Sequence, residues 1–182
     1  GKAALLAAEA ANAGASLTTN EISEHRAKLV ETAIRHSGFK VDQLTGDGRK
    51  LRDKQGFDRI MLDAPCTGLG ALRRRPESRW RKNAEGLKEL STLQRELLQA
   101  AWANLKSGGT LAYVTCSPHP TETTSQIEWF LRSNSDAKLV DATATLLSIN
   151  PELAIKKNRK TAQLWPHRNG TDAMFIALVE KQ

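Results

Sequence analysis

Four times along this 182-residue chain, a β-leaning run of strand length ends on a side chain able to do chemistry. Residues 15–20 lead to Glu21, residues 39–44 to Thr45-Gly46-Asp47-Gly48, residues 57–62 to Asp63-Ala-Pro-Cys66, and residues 110–114 to Thr115-Cys116-Ser117-Pro118. The stretches between the first and second of these runs and between the third and fourth carry helical spacing. Strands that alternate with helices need crossover connections, so they assemble as a mostly parallel, doubly wound sheet. In such sheets the carboxyl ends of the strands share one edge, and ligands collect there.

The helical stretches are legible from their apolar spacing. Gly1-Lys2 opens directly into an alanine- and leucine-rich helix. Ser23 is placed to cap a second helix, whose apolar positions Ala27, Val30, Ala33 and Ile34 run toward a stop at Gly38. Leu87, Leu90, Leu93, Leu97, Ala101 and Leu105 mark one face of a long helix that Gly108-Gly109 is expected to end. Residues 121–131 read as helix, with Glu122 early and Arg132 late, as the helix dipole favours. Residues 137–140 read as a short strand, 142–163 as a lysine-rich connection, and 164–167 with 173–179 as a closing pair of strands.

Composition narrows the function classes. No apolar run approaches the roughly 18 residues of a membrane span and no signal peptide opens the chain, so a cytoplasmic protein without membrane contact is expected. Two cysteines, Cys66 and Cys116, do not make a disulfide framework, and free thiols are expected. The net charge of +7 leans toward a polyanionic partner. That charge is concentrated in residues 72–82, where Arg73, Arg74, Arg75, Arg79, Arg81 and Lys82 surround Trp80. Arginines there would neutralise phosphates while Trp80 stacks on an unpaired base; a solvated basic loop with Trp80 in the core is the alternative.

Glu21 stands at the distance from Gly1 at which a carboxylate accepts ribose hydroxyls in dinucleotide-like sites. Asp47 lies in a Gly-Asp-Gly turn one strand later. Cys66 and Cys116 occupy equivalent strand ends, one of them beside Asp63. Only a thiolate attacks, and an ordinary cysteine with a pKa near ~8.5 needs positive or hydrogen-bonding neighbours to become one. Spacing alone does not decide which of the two would be the nucleophile.

These motifs, namely Asp63-Ala-Pro-Cys66-Thr-Gly-Leu-Gly, the Arg-Arg-Arg-Pro-Glu-Ser-Arg-Trp that follows, Thr115-Cys116-Ser117-Pro118 and the closing Asp172-Ala-Met-Phe, resemble the RsmB/Sun (Fmu) family of RNA cytosine-C5 methyltransferases. The resemblance implies a Rossmann-like class I methyltransferase fold with an antiparallel C-terminal strand, S-adenosylmethionine as cofactor and no metal. It implies Cys116 as nucleophile, Cys66 as the group assisting product release, and Asp63 at the cytosine edge and the cofactor. Glu21 would hold the cofactor's ribose, Asp47 its adenine end, and Gly1-Lys2 would be the tail of the glycine-rich loop. The implied substrate is RNA, with 16S ribosomal RNA as the default, bound by Arg73, Arg74, Arg75, Arg79, Trp80 and Arg81 of a monomer.

The same resemblance makes residues 1–182 a methyltransferase domain that lacks its N-terminal part: the recognition region, the first strand and most of the cofactor loop. Such a piece is expected to bind S-adenosylmethionine poorly. A non-catalytic RNA-binding fragment is the competing reading, and the Thr-Cys-Ser motif disfavours a DNA cytosine methyltransferase.

Overall fold

The computed structural model describes residues 1–35, 38–81, 83–157 and 159–182, and its elements fall into two compact units, Gly1–Arg52 and Asp53–Gln182. The first unit runs α1 (Lys2–Asn12), β1 (Thr18–Glu21), α2 (Glu24–Arg35) and β2 (Asp42–Thr45). β1 and β2 pair in parallel, from Thr18 opposite Asp42 to Glu21 opposite Thr45. The Ser23 hydroxyl accepts the Arg26 N–H at 3.4 Å in the first turn of α2, and the helix buries Ala27 and Ile34.

The second unit contains β3 (Phe57–Asp63), α3 (Ala84–Ala103), β4 (Leu105–Thr115), α4 (Thr124–Ser133), β5 (Ala137–Val140), α5 (Ala142–Ile149), β6 (Ala162–Gln163), α6 (Pro166–Asn169) and β7 (Phe175–Lys181). Its sheet has the order β3-β4-β7-β5, with the short β6 also on β7. β3 and β4 are parallel, whereas β7 runs antiparallel to both β4 and β5, as the resemblance implies for the C-terminal strand. Among the described residues β1 pairs only with β2 and β3 only with β4.

The core of this unit is built from Leu98 and Trp102 of α3, Leu111 and Tyr113 of β4, Ile127 and Phe130 of α4, and Phe175, Ala177 and Val179 of β7. Trp102 and Phe130 meet edge to face with centroids 5.1 Å apart, a geometry that adds about 0.5–1.5 kcal/mol beyond area burial. No helix among the described residues is long and apolar enough to cross a membrane.

Three expected boundaries move. α3 ends at Ala103, with Asn104 as its cap, and not at Gly108-Gly109. Those glycines lie inside β4, at a bulge where the partner of β3 jumps from Leu105 to Thr110, and Gly108 takes the positive φ of 75° that the bulge requires. The 142–163 connection is not featureless: Asp141 accepts the Ala144 N–H at 2.8 Å and starts α5, and β6 closes the segment. Residues 164–167 do not make a closing strand, because Pro166 opens the short α6; the antiparallel partner of β7 there is Ala162–Gln163.

Candidate active site

The parallel pairing of β3 with β4 sets Asp63 opposite Val114, and the ladder continues one step as the Ala64 N–H donates to the Val114 carbonyl at 2.9 Å. β3 ends at Asp63 and β4 one residue beyond Val114, at Thr115. The Pro65-Cys66-Thr67 turn and the Cys116-Ser117 turn therefore emerge side by side, and Cys66 Sγ lies 3.3 Å from Cys116 Sγ. Both cysteines are free and half-buried. The two thiols that the sequence places 50 positions apart thus share one hydrogen bond.

That contact and burial hold the Cys66 thiol well above the ordinary cysteine range, against the opposing pull of the Gly68 backbone N–H. A removed proton would leave a charge on half-buried sulfur beside a second sulfur. Burial and the neighbouring sulfur thus both favour the protonated form of Cys66.

Gly70 ties the two turns together. Its N–H donates to the Cys116 carbonyl at 2.9 Å, and its own carbonyl accepts the Ala173 N–H at 2.9 Å. The approach is so close that a Cβ on residue 70 would fall 2.1 Å from the Ala173 carbonyl oxygen, so only glycine fits.

Beneath the Cys66 turn lies a buried polar cluster that the sequence reading missed. Glu122, read from the sequence only as an acid early in a helix, is 0% exposed. Its carboxylate accepts the Thr67 N–H at 2.7 Å, the Thr67 hydroxyl at 2.5 Å and the Gln94 side-chain amide at 3.3 Å. Gln94, also 0% exposed, donates to the Pro65 carbonyl at 2.9 Å. A signal existed: Gln94 sits four residues after Leu90 and four before Leu98, so a polar side chain occupies the apolar stripe of α3.

The other expected residues are placed as follows. Asp63 ends β3 and is exposed. In the first unit, Glu21 ends β1 and its Oε1 accepts the Ser23 N–H at 3.0 Å, with Arg26 3.5 Å away. Asp47 follows β2 and is engaged through both carboxylate oxygens by Arg49, with Nε at 3.0 Å from each. The Arg49 guanidinium and backbone N–H hold the Asp47 carboxyl down at about 2. Gly1 caps α1 and Lys2 begins it.

Of the basic stretch, Arg73, Arg75 and Arg79 are exposed. Trp80 is 77% exposed with the Arg79 guanidinium 4.2 Å above its ring, so it is a surface side chain and not a core one. Arg74 is bound to Asp172, Nε to Oδ1 at 2.9 Å, which pins the basic segment to the loop before β7 and lowers the Asp172 pKa. Lys82 and the Arg81 side chain lie outside the described residues.

A putative methyltransferase of Mycobacterium tuberculosis is 46% identical over 181 residues, covering 100% of this chain and 38% of its own length. The ribosomal RNA small subunit methyltransferase B of Escherichia coli is 42% identical over 170 residues, covering 92% of this chain and 37% of its own. The chain thus spans well under half the length of these curated relatives. The crystal structure of NSun6 from Pyrococcus horikoshii with SFG superposes with a TM-score of 0.77 at 27% identity, over 92% of this chain and 41% of that one. The fold is accordingly the Rossmann-like one of S-adenosylmethionine-dependent methyltransferases. The model of the 16S rRNA methyltransferase RsmB/F family matches residues 1–180, so the chain belongs to that family.

Proposed function

We propose that residues 1–182 are the catalytic domain of an RNA cytosine-C5 methyltransferase, acting as a cytoplasmic monomer on RNA, with 16S ribosomal RNA as the expected substrate. The observation that carries this reading is the pair of free thiols in hydrogen-bond contact at the ends of adjacent parallel strands.

C5 of cytosine is too weak a nucleophile to take a methyl group unaided. In the proposed reaction the Cys116 thiolate adds to C6, which moves an electron pair toward C5. Asp63 hydrogen-bonds the N3 and N4 edge and favours that electron-rich adduct. When bound, S-adenosylmethionine supplies the methyl group that C5 takes up. A base then removes the C5 proton, and the electron pair of that bond expels Cys116 as thiolate. The neutral Cys66 S–H, 3.3 Å from the departing sulfur, donates a hydrogen bond to it and lowers the barrier to release.

The residues present suit the cofactor. Glu21 meets the Ser23 N–H and Arg26 through Oε1, which leaves Oε2 to accept a ribose hydroxyl. Asp47, already engaged by Arg49, would meet the adenine end as a fixed turn. The Pyrococcus NSun6 structure was solved with SFG, an analogue of S-adenosylmethionine, which supports the same assignment here. Arg73, Arg75 and Arg79 would neutralise phosphates, and the exposed Trp80 would stack on a base.

The test is trapping. In the intact protein Cys66→Ala should accumulate a covalent RNA adduct that resists denaturing electrophoresis, and Cys66→Ala/Cys116→Ala should form none. An adduct mapped to Cys66, or none in the Cys66→Ala protein, overturns the assignment; salt-sensitive RNA binding without any adduct indicates a binding module.

A further inference from the structure

Glu122 has no part in the reaction proposed above, yet a fully buried carboxylate is an expensive thing to keep for packing alone. Removing a carboxylate from water costs more than a well-packed apolar residue would, unless the protein needs what the charge organises. What it organises is narrow. Two of its three donors belong to Thr67, the residue after Cys66. The third is the Gln94 amide, which also holds the carbonyl of Pro65, the residue before Cys66. Both chain neighbours of one cysteine are thereby fixed from below.

The network is also tied to the other cysteine's strand. The Tyr113 hydroxyl donates to the Glu122 carbonyl at 2.9 Å, and Tyr113 lies in β4, three residues before Cys116. Ser117, directly after Cys116, is buried, and its hydroxyl accepts the His119 N–H at 3.1 Å. Glu122 therefore connects the support of one sulfur to the support of the other.

We infer that Glu122 is a positioning residue, acting through Thr67 and Gln94, that sets the Cys66 sulfur at hydrogen-bond distance from Cys116 and so controls product release. This rests on the covalent mechanism above. The negative charge of Glu122 also acts in the same direction as burial in keeping Cys66 protonated.

A role through Cys66 makes a kinetic prediction that mere stabilisation does not. In the intact protein Glu122→Ala should accumulate the covalent RNA adduct, as Cys66→Ala does, with kcat reduced about tenfold and KM for RNA within about twofold. Combined with Cys66→Ala it should add nothing, because the group it acts through is already gone. Glu122→Gln, which still accepts the Thr67 N–H, should recover most of the loss. A folded Glu122→Ala protein without adduct, or effects that multiply in the double variant, overturns the inference.

Should Glu122→Ala fail to fold, Thr67→Val removes the hydroxyl contact alone and should show the same accumulation in smaller degree; its absence is equally decisive. If Cys66→Ala itself traps nothing, the mechanism has failed, and positioning is then read from sulfur proximity. Diamide takes two hydrogens from the thiol pair and leaves the Cys66–Cys116 disulfide. Formation at least about threefold slower in Thr67→Val than in the unsubstituted protein supports the positioning role, and an equal rate refutes it.

Discussion

Gly70→Ala isolates what the junction of the two cysteine turns contributes. The added methyl would stand 2.1 Å from the Ala173 carbonyl oxygen and 2.8 Å from the Cys116 carbonyl oxygen, about 1 Å and a few tenths short of any contact real side chains make. Both obstacles are backbone, so neither can swing aside like a side chain. Overpacking of this kind costs about 1–3 kcal/mol. The displacement also loosens the two hydrogen bonds of residue 70, to Cys116 and from Ala173, at roughly 0.5–1.5 kcal/mol each. The expected loss is on the order of 3–5 kcal/mol, read as a lower urea midpoint at unchanged m-value. Gly108→Ala is the control: its φ of 75° penalises alanine, but nothing lies within 4 Å of the new methyl, so it should cost only about 1–2 kcal/mol. A loss below about 1 kcal/mol for Gly70→Ala would refute the close approach.

Three other outcomes are expected. Asp47 should titrate near 2 by carboxyl NMR, and Arg49→Ala should return it toward 3.8; because the folded value is depressed, the pair favours folding above about pH 4 and that contribution fades as pH falls toward 2, and an unmoved titration would refute the pairing. Asn104→Ala should cost about 2–4 kcal/mol in urea unfolding, since its buried amide both accepts the Asp53 N–H and donates to the Ala100 carbonyl, each at 2.8 Å. In RNA binding, Arg79→Ala should lower the salt slope by about one, while Trp80→Ala weakens affinity by about 1–3 kcal/mol with the slope kept; Arg74→Ala, whose guanidinium is bound to Asp172, should act more on stability than on affinity.

The edge that carries the two cysteines was legible because its signals are local. An apolar run ending in Asp63-Ala-Pro-Cys66 can be read without knowing what it packs on, and a second such run identifies Cys116. That the two sulfurs meet follows once β3 and β4 are taken as parallel neighbours. The network around Glu122 was not legible because helix-dipole logic looks only along the chain, and its partners are 55 and 28 positions away. Gly108-Gly109 was misread for a related reason: a glycine pair after a helical face resembles a helix stop, but Asn104 had already capped α3, and the pair serves the bulge in β4. Exposure of Trp80 could not be read from a basic loop, where tryptophans are found both tucked in and exposed.

The order β3-β4-β7-β5 has a consequence for synthesis. β7 is made after every other described strand, yet it lies in the middle of its sheet, with β4 on one side and β5 on the other. Until Phe175–Lys181 leaves the ribosome, β4 and β5 have no shared neighbour, and at roughly 5–20 residues per second the wait after β5 lasts seconds. A nascent chain of this kind holds two hydrophobic strand edges open over that interval, which makes it a natural client for chaperones and ties completion of the fold to the arrival of its last ribbon.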